Sequence, residues 1–190
     1  MPTDIRVVGG DELLAHTRGL HSVYVDAFCT PPWSEEQEKA VAFVGRLPAN
    51  ARRPGFTAAL ALRGGEVVGF ATAWTTLAPF PTDRCYPQAA AALGPERTMK
   101  WLCGSREVDE LAVRSDARGN GLAAGLLEAV TADAPEGRSW LLTSVRSGRA
   151  MAFYRRQGWT QATHPSPDGN GIAVFLGPHH PARSRVLPAL

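Results

Sequence analysis

The chain has 190 residues, 44% of them hydrophobic and 20% charged, with a formal net charge of +2. That balance suits one globular domain with a buried core and excludes a disordered chain. It also gives no footing for a general nucleic-acid or membrane-surface binder, and no apolar run approaches the ~18 residues of a membrane span.

Cys29, Cys85 and Cys103 are odd in number and far apart, which fits a reducing cytosol better than a disulfide framework or a metal site. The N-terminus, MPTDIRVVGG, lacks the basic-then-apolar pattern of a secretion signal. The expectation is therefore a soluble, cytoplasmic protein with no nucleic-acid or membrane partner.

IRVV (5–8) reads as a short edge strand. From Asp11 to Phe28, Leu13, Leu20, Tyr24 and Ala27 recur at helical spacing, and TPPW (30–33) stops that helix. A second helix is expected from a capping box with Ser34 as cap and Gln37 three residues on. Glu35 and Glu36 then lie in its first turn, and Ala40, Val41, Val44 and Leu47 form its apolar face. PANARRPG (48–55) reads as loop.

FTAALALR and EVVGFATAWTTL are strand-like runs joined by Gly64-Gly65, a hairpin signal that makes the middle of the sheet antiparallel. Residues 78–100 read as a long excursion with at most a short helix. REVDELAV (106–113) is the next strand, and its imperfect alternation suits a bulge. A helix from Gly121 to about Ala134, a strand SWLLTSV (139–145), a helix AMAFYRR (150–156) and a strand GIAVFLG (171–177) complete the order. The division expected is a single mixed α/β domain over residues 1–178 and a loosely packed or free tail over 179–190.

ARGNGLAAGLL (117–127) puts Gly119 and Gly121 where a helix should begin, although glycine in a helix costs roughly 1 kcal/mol relative to alanine. A helix N-terminus leaves its first N–H groups unpaired and carries about half a positive charge, so it binds phosphate when the backbone can be approached closely. Glycines permit that approach, and Arg118 adds a fixed charge with several donors. The stretch therefore reads as a diphosphate cradle.

A P-loop would need Gly-Lys-Ser/Thr at its end, whereas Leu122 follows Gly121. GNGLAA meets the dinucleotide pattern G-x-G-x-x-A literally. That pattern expects a strand running straight into the first glycine within a βαβ unit, and here polar or small residues intervene after a hairpin.

A third ligand class that uses such a cradle is coenzyme A. LAVRSDARGNGLAAGLL resembles the diphosphate-binding motif of the GNAT superfamily of acyl-CoA N-acyltransferases, with Arg118, Gly121 and Ala123 in its Arg/Gln-x-x-Gly-x-Gly/Ala pattern. AMAFYRRQGW (150–159) resembles the family's second motif. The resemblance is firm over residues 106–160 and loose over 1–77.

The resemblance implies a GNAT fold: a mixed, mostly antiparallel central sheet with splayed middle strands, flanked by helices. It implies acetyl-CoA as cosubstrate, with pantetheine pairing along Leu111, Ala112 and Val113. The diphosphate would lie on Arg118, Gly119, Asn120, Gly121, Leu122, Ala123 and Ala124. It further implies N-acetyl transfer to a primary amine, small-molecule or peptide, and many relatives pair as homodimers. The competing reading is a catalytically silent acyl-CoA-binding module.

An alkyl amine of pKa 10.4 is only about 1 part in 2,500 neutral at pH 7, so a base is needed. Glu107 is the first candidate by the family's usual position and Glu110 the second, while Asp109 reads as a surface or ion-pair group. Tyr154 matches the family tyrosine that protonates the departing thiolate. Ser147 stands where N-terminal acetyltransferases of the superfamily often carry an asparagine. Trp33 precedes the second helix, where relatives admit the acceptor, and is kept as a substrate contact. His16, His21, His164, His179 and His180 have no metal-ligand spacing, so no metal is expected.

Overall fold

The computed structural model describes residues 2–31, 33–164 and 171–186. Its sheet has seven strands and is mostly antiparallel. The described residues fall into two compact units, one drawn from residues 1–74 and 108–132, the other from 75–107 and 133–190. No helix among them is long and apolar enough to cross a membrane.

In the first unit, β1 (Thr3–Val8), β2 (Thr57–Arg63), β3 (Glu66–Thr75) and β4 (Arg106–Val113, from Val108 on) lie in that order. The Gly64-Gly65 hairpin forms as expected. Both glycines have positive φ, and Arg63 pairs with Glu66 across the turn. α1 (Gly10–Ala15) and α2 (Thr17–Phe28) replace the single helix expected from Asp11. The break falls where the Thr17 hydroxyl donates to the Leu14 carbonyl at 2.6 Å, competing with the helix's own ladder.

α3 (Gln37–Asn50) starts after Glu36, with no side-chain cap. The capping box around Ser34 is thus corrected: Ser34 has φ +47°, and its N–H and that of Glu35 close a turn onto Thr30 and Phe28. The buried face of α3 is Ala40, Phe43, Leu47 and Asn50, while Val41 is 64% exposed, so the expected stripe is rotated toward Phe43. The helix also runs through Pro48 into the stretch expected as loop, because Leu47 and Asn50 dock there.

Alternation along β2 sends Ala58 and Leu60 to one face, where they join Phe43, Phe70, Leu20 and Tyr24 in a core cluster. Ring centroids there lie 4.7 Å apart for Tyr24 and Phe43 and 5.3 Å apart for Phe43 and Phe70. On the other face α6 (Leu122–Thr131) packs on β1 and β2. A Cβ on Gly125 would stand 2.6 Å from the terminal methyl of Ile5, which would have to shift to admit it.

In the second unit, β5 (Ser139–Ser144), β7 (Ile172–Leu176) and the two-residue β6 (Thr160–Gln161) are ordered β5-β7-β6. The excursion is more helical than expected. It holds α4 (Tyr86–Leu93), α5 (Pro95–Arg97) and a π-helical turn at Thr98–Leu102. Its apolar residues Tyr86, Ala89, Leu93, Trp101 and Leu102 bury against Trp140, Val174 and Leu176. α7 (Gly148–Arg156) covers the opposite face, with Tyr154 against Phe175.

The expected loose tail is docked over its described part. His180 is buried, its ring lies 2.9 Å from the Trp101 carbonyl, and Ala182 joins the core. Residues 187–190 lie outside the described residues. Phe43→Ala should cost about 3–5 kcal/mol, because it removes the ring stacked between Tyr24 and Phe70. Urea denaturation would show this as a lower midpoint at unchanged slope.

Candidate functional site

β4 ends at Val113, and a short 3₁₀ turn (Ser115–Ala117) leads to the glycines. Asp26 anchors that turn, accepting from the Ser115 N–H at 2.6 Å and from its hydroxyl at 2.9 Å. Arg114 bridges Asp116 and Glu66, each at 2.7 Å. The loop is thus tied at its root by residues far away in sequence.

Gly119 and Gly121 have φ +84° and +75°, and a Cβ on either would meet no atom within 4 Å. The space beside both glycines is open, and left-handed backbone there favours glycine. The helical bond Gly125 N–H to Gly121 carbonyl, 3.0 Å, starts α6 without a side-chain cap. The N–H groups of Leu122, Ala123 and Ala124 therefore precede the helical ladder. Arg118 leans back, its Nε donating to the Val113 carbonyl at 3.1 Å, and the Asn120 side chain reaches the Ala117 carbonyl at 3.5 Å. Uncapped N–H groups behind left-handed glycines are the kind of backbone on which phosphate groups can bind.

In the first unit Val68 accepts from the Arg114 N–H, and in the second Ser105 accepts from the Thr76 N–H.

The two candidate bases have different surroundings. Glu107 is 4% exposed, and both its oxygens accept hydrogen bonds: Oε2 from the Thr76 hydroxyl at 3.0 Å, Oε1 from the Tyr86 hydroxyl at 2.6 Å. Trp140 Nε1 donates in turn to Thr76 Oγ1 at 2.9 Å. Glu110 instead forms an ion pair with Arg46 at 2.9 Å, with side-chain exposures of 14% and 32%. Nearby, the Tyr24 hydroxyl donates to Glu35 at 2.8 Å. Burial first, then the Glu110 charge and the Glu35 bond, push the Tyr24 phenol well above its ordinary pKa, so it remains a neutral donor.

Tyr154 is half-buried on α7, its ring 5.8 Å from Phe175 and 6.1 Å from Trp159. By strand alternation Phe175 faces away from Val174 and Leu176, so Tyr154 and Tyr86 lie on opposite faces of the β5–β7 pair. Ser147 proves to be the cap of α7, its hydroxyl accepting from the Ala150 N–H at 3.3 Å. Trp33 is half-buried and edge-on to Phe28 at 5.9 Å. Leu111 is half-buried, and Ala112 and Val113 are buried on β4.

Among the described residues, no group of three or more histidine, cysteine or carboxylate side chains could hold a metal. Tyr86, Thr76, Trp140, Asp26 and Arg46 escape a sequence reading, because their partners are remote in the chain and no motif marks them.

The sequence matches the Acetyltransferase (GNAT) family over residues 20–159, a stretch that runs through both units. No curated protein matches it. Solved structures of similar fold include an acetyltransferase from Thermus thermophilus, with 19% identity, TM-score 0.58, and coverage of 93% of this chain and 96% of that one. PaiA N-acetyltransferase from Thermoplasma acidophilum, solved with coenzyme A, has 12% identity and TM-score 0.58, covering 92% of this chain and 98% of its own. Arabidopsis thaliana NAA60, solved with acetyl-CoA, has 15% identity and TM-score 0.57, with 92% and 97% covered. At these identities the likeness is one of fold.

Arg46→Met should destabilise the protein by about 1–3 kcal/mol, since Glu110 loses a charged partner in a largely buried setting. Adding Glu110→Gln should recover part of the loss, read from the same urea midpoints.

Proposed function

The chain belongs to the acetyltransferase (GNAT) family, and on that footing we propose that it is an acetyl-CoA-dependent N-acetyltransferase acting on a primary amine. The observation that carries this reading is the open, left-handed turn at Gly119 and Gly121 ahead of the uncapped α6. The N–H groups of residues 119–124 hold the diphosphate, and Arg118 adds charge beside it. Leu111, Ala112 and Val113 offer backbone partners to pantetheine.

The reaction is direct attack by the amine nitrogen on the thioester carbonyl carbon. A C–N bond forms, the C–S bond breaks, and the sulfur leaves as a thiolate. Glu107 takes the ammonium proton, directly or through a water, and Tyr154 delivers a proton to the departing sulfur. The support for this pairing is that Glu107 is a buried carboxylate held by two hydroxyls and that Tyr154 is half-buried on α7. The attacking amine and the departing sulfur are distinct ends of the reacting centre, and each needs its own proton group. Glu110 is the second candidate base; its ion pair with Arg46 engages its charge. Trp33 remains a proposed acceptor contact.

Tyr154→Phe should lower turnover by about 10²-fold while leaving calorimetric acetyl-CoA affinity nearly intact. Parental activity across pH 6 to 9 would remove Tyr154 from the mechanism. Gly121→Trp should abolish coenzyme A binding, because its side chain fills the cradle and its backbone must hold φ +75°. Unchanged affinity by calorimetry would overturn the cradle. Free-thiol release across a panel of small and peptide amines tests the reaction itself, and acetyl-CoA binding without turnover on any of them would favour a silent module.

A further inference from the structure

Resting on the acetyltransferase reading and on Glu107 as its base, we propose that Tyr86 is a positioning residue that fixes the aim of the Glu107 carboxylate. Thr76 and Trp140 form the second arm of the same clamp. Tyr86 comes from the excursion between β3 and β4, outside both motifs that carry the family resemblance.

At one end of the clamp the bond direction follows from donor chemistry. Indole N–H only donates, so Trp140 occupies a lone pair of Thr76 Oγ1. The Thr76 hydroxyl in turn donates to Glu107 Oε2 at 3.0 Å. Tyr86 donates to the other oxygen at 2.6 Å, a length typical of an O–H donor facing a carboxylate. Each carboxylate oxygen of Glu107 thus has a hydroxyl partner. The two bonds offset the cost of burying the carboxyl group.

Both arms are rigidly built. Tyr86 is 1% exposed, Trp140 0% and Thr76 2%. The Tyr86 ring lies edge-on to Phe80 at 5.4 Å and 6.3 Å from Trp140. The Thr76 backbone is tied to the chain just before Glu107, its N–H donating to Ser105 and its carbonyl accepting from Gly104 at 2.7 Å. Gly104 has φ +75° there, the arrangement of a glycine-headed bulge. Rotating the carboxylate plane would break both arms together. A carboxylate accepts in directions set by its plane, so fixing the plane fixes where the acceptor's proton is received. Proton transfer depends steeply on such aim.

The test is a double-mutant cycle of Tyr86→Phe and Glu107→Gln, using an amine that the unmodified enzyme acetylates and free-thiol release as readout. Tyr86→Phe should lower kcat about ten-fold with the acetyl-CoA KM unchanged, and should add no further loss in the Glu107→Gln background. An equal added loss in both backgrounds, or an unchanged kcat, would overturn the proposal. Should Tyr86→Phe fail to fold, Thr76→Val should give the same pattern from the other oxygen and Thr76→Ser should restore activity; additive loss from Thr76→Val would overturn it. An active enzyme in which Glu107→Gln is fully competent sinks the clamp but leaves the acetyltransferase reading standing. No thiol release with any amine overturns both.

Discussion

The amides at the start of α6 are a constraint that the fold itself leaves open. A helix of this length needs its first N–H groups satisfied, and the usual means is a serine, threonine or aspartate side chain at the cap. α7 follows that rule with Ser147. α6 begins instead at a left-handed glycine with open space beside it, and the side chain of Asn120 is turned back onto Ala117. Water can satisfy those groups, but an anion there gains the helix dipole as well. A cap that a side chain could have supplied is thus absent, which is what the proposed cradle needs.

An open cradle binds well only if it does not move, and the loop around it is tied accordingly. Asp26 on α2 takes both donors of Ser115, and Arg114 spans Glu66 and Asp116. Each tie is exposed and individually weak. Together they fix both ends of the turn between β4 and the glycines. Arg118 then lies along the loop rather than away from it, its Nε on the Val113 carbonyl. The charge it brings is held near the backbone donors, so a bound diphosphate would meet a set of groups already ordered.

What is legible in the sequence follows from local rules. Two glycines in a row mark the hairpin, and two more mark the loop before α6, because backbone preference acts on its own neighbourhood. Ser34 shows where such rules fail. Its spacing to Gln37 is that of a capping box, yet the chain closes a turn onto Thr30 and Phe28 first, and Glu35 is taken by Tyr24. The face of α3 is ambiguous in sequence for a similar reason: Val41 and Phe43 are both apolar, and only stacking with Tyr24 and Phe70 selects Phe43. The excursion reads as loop because its small residues and prolines carry a weak helical pattern. Its order comes from burying Tyr86, Trp101 and Leu102 against β5 and β7, which no local window contains.

Glu107 is legible by position but not by environment, and the environment decides what it can do. Its donors stand 21 and 31 residues away, so the sequence shows a carboxylate on a strand and nothing of its confinement. An exposed glutamate would serve as a base with little aim and a freely rotating plane. A buried one without donors would resist ionisation, since desolvation disfavours the charge. Between these limits lies a carboxyl group that is buried, hydrogen-bonded and fixed, and the geometry at Glu107 meets that description through two hydroxyls and an indole. If Tyr154 is the acid proposed above, its half-buried setting fits, since an acid delivering a proton to a leaving thiolate needs access more than confinement.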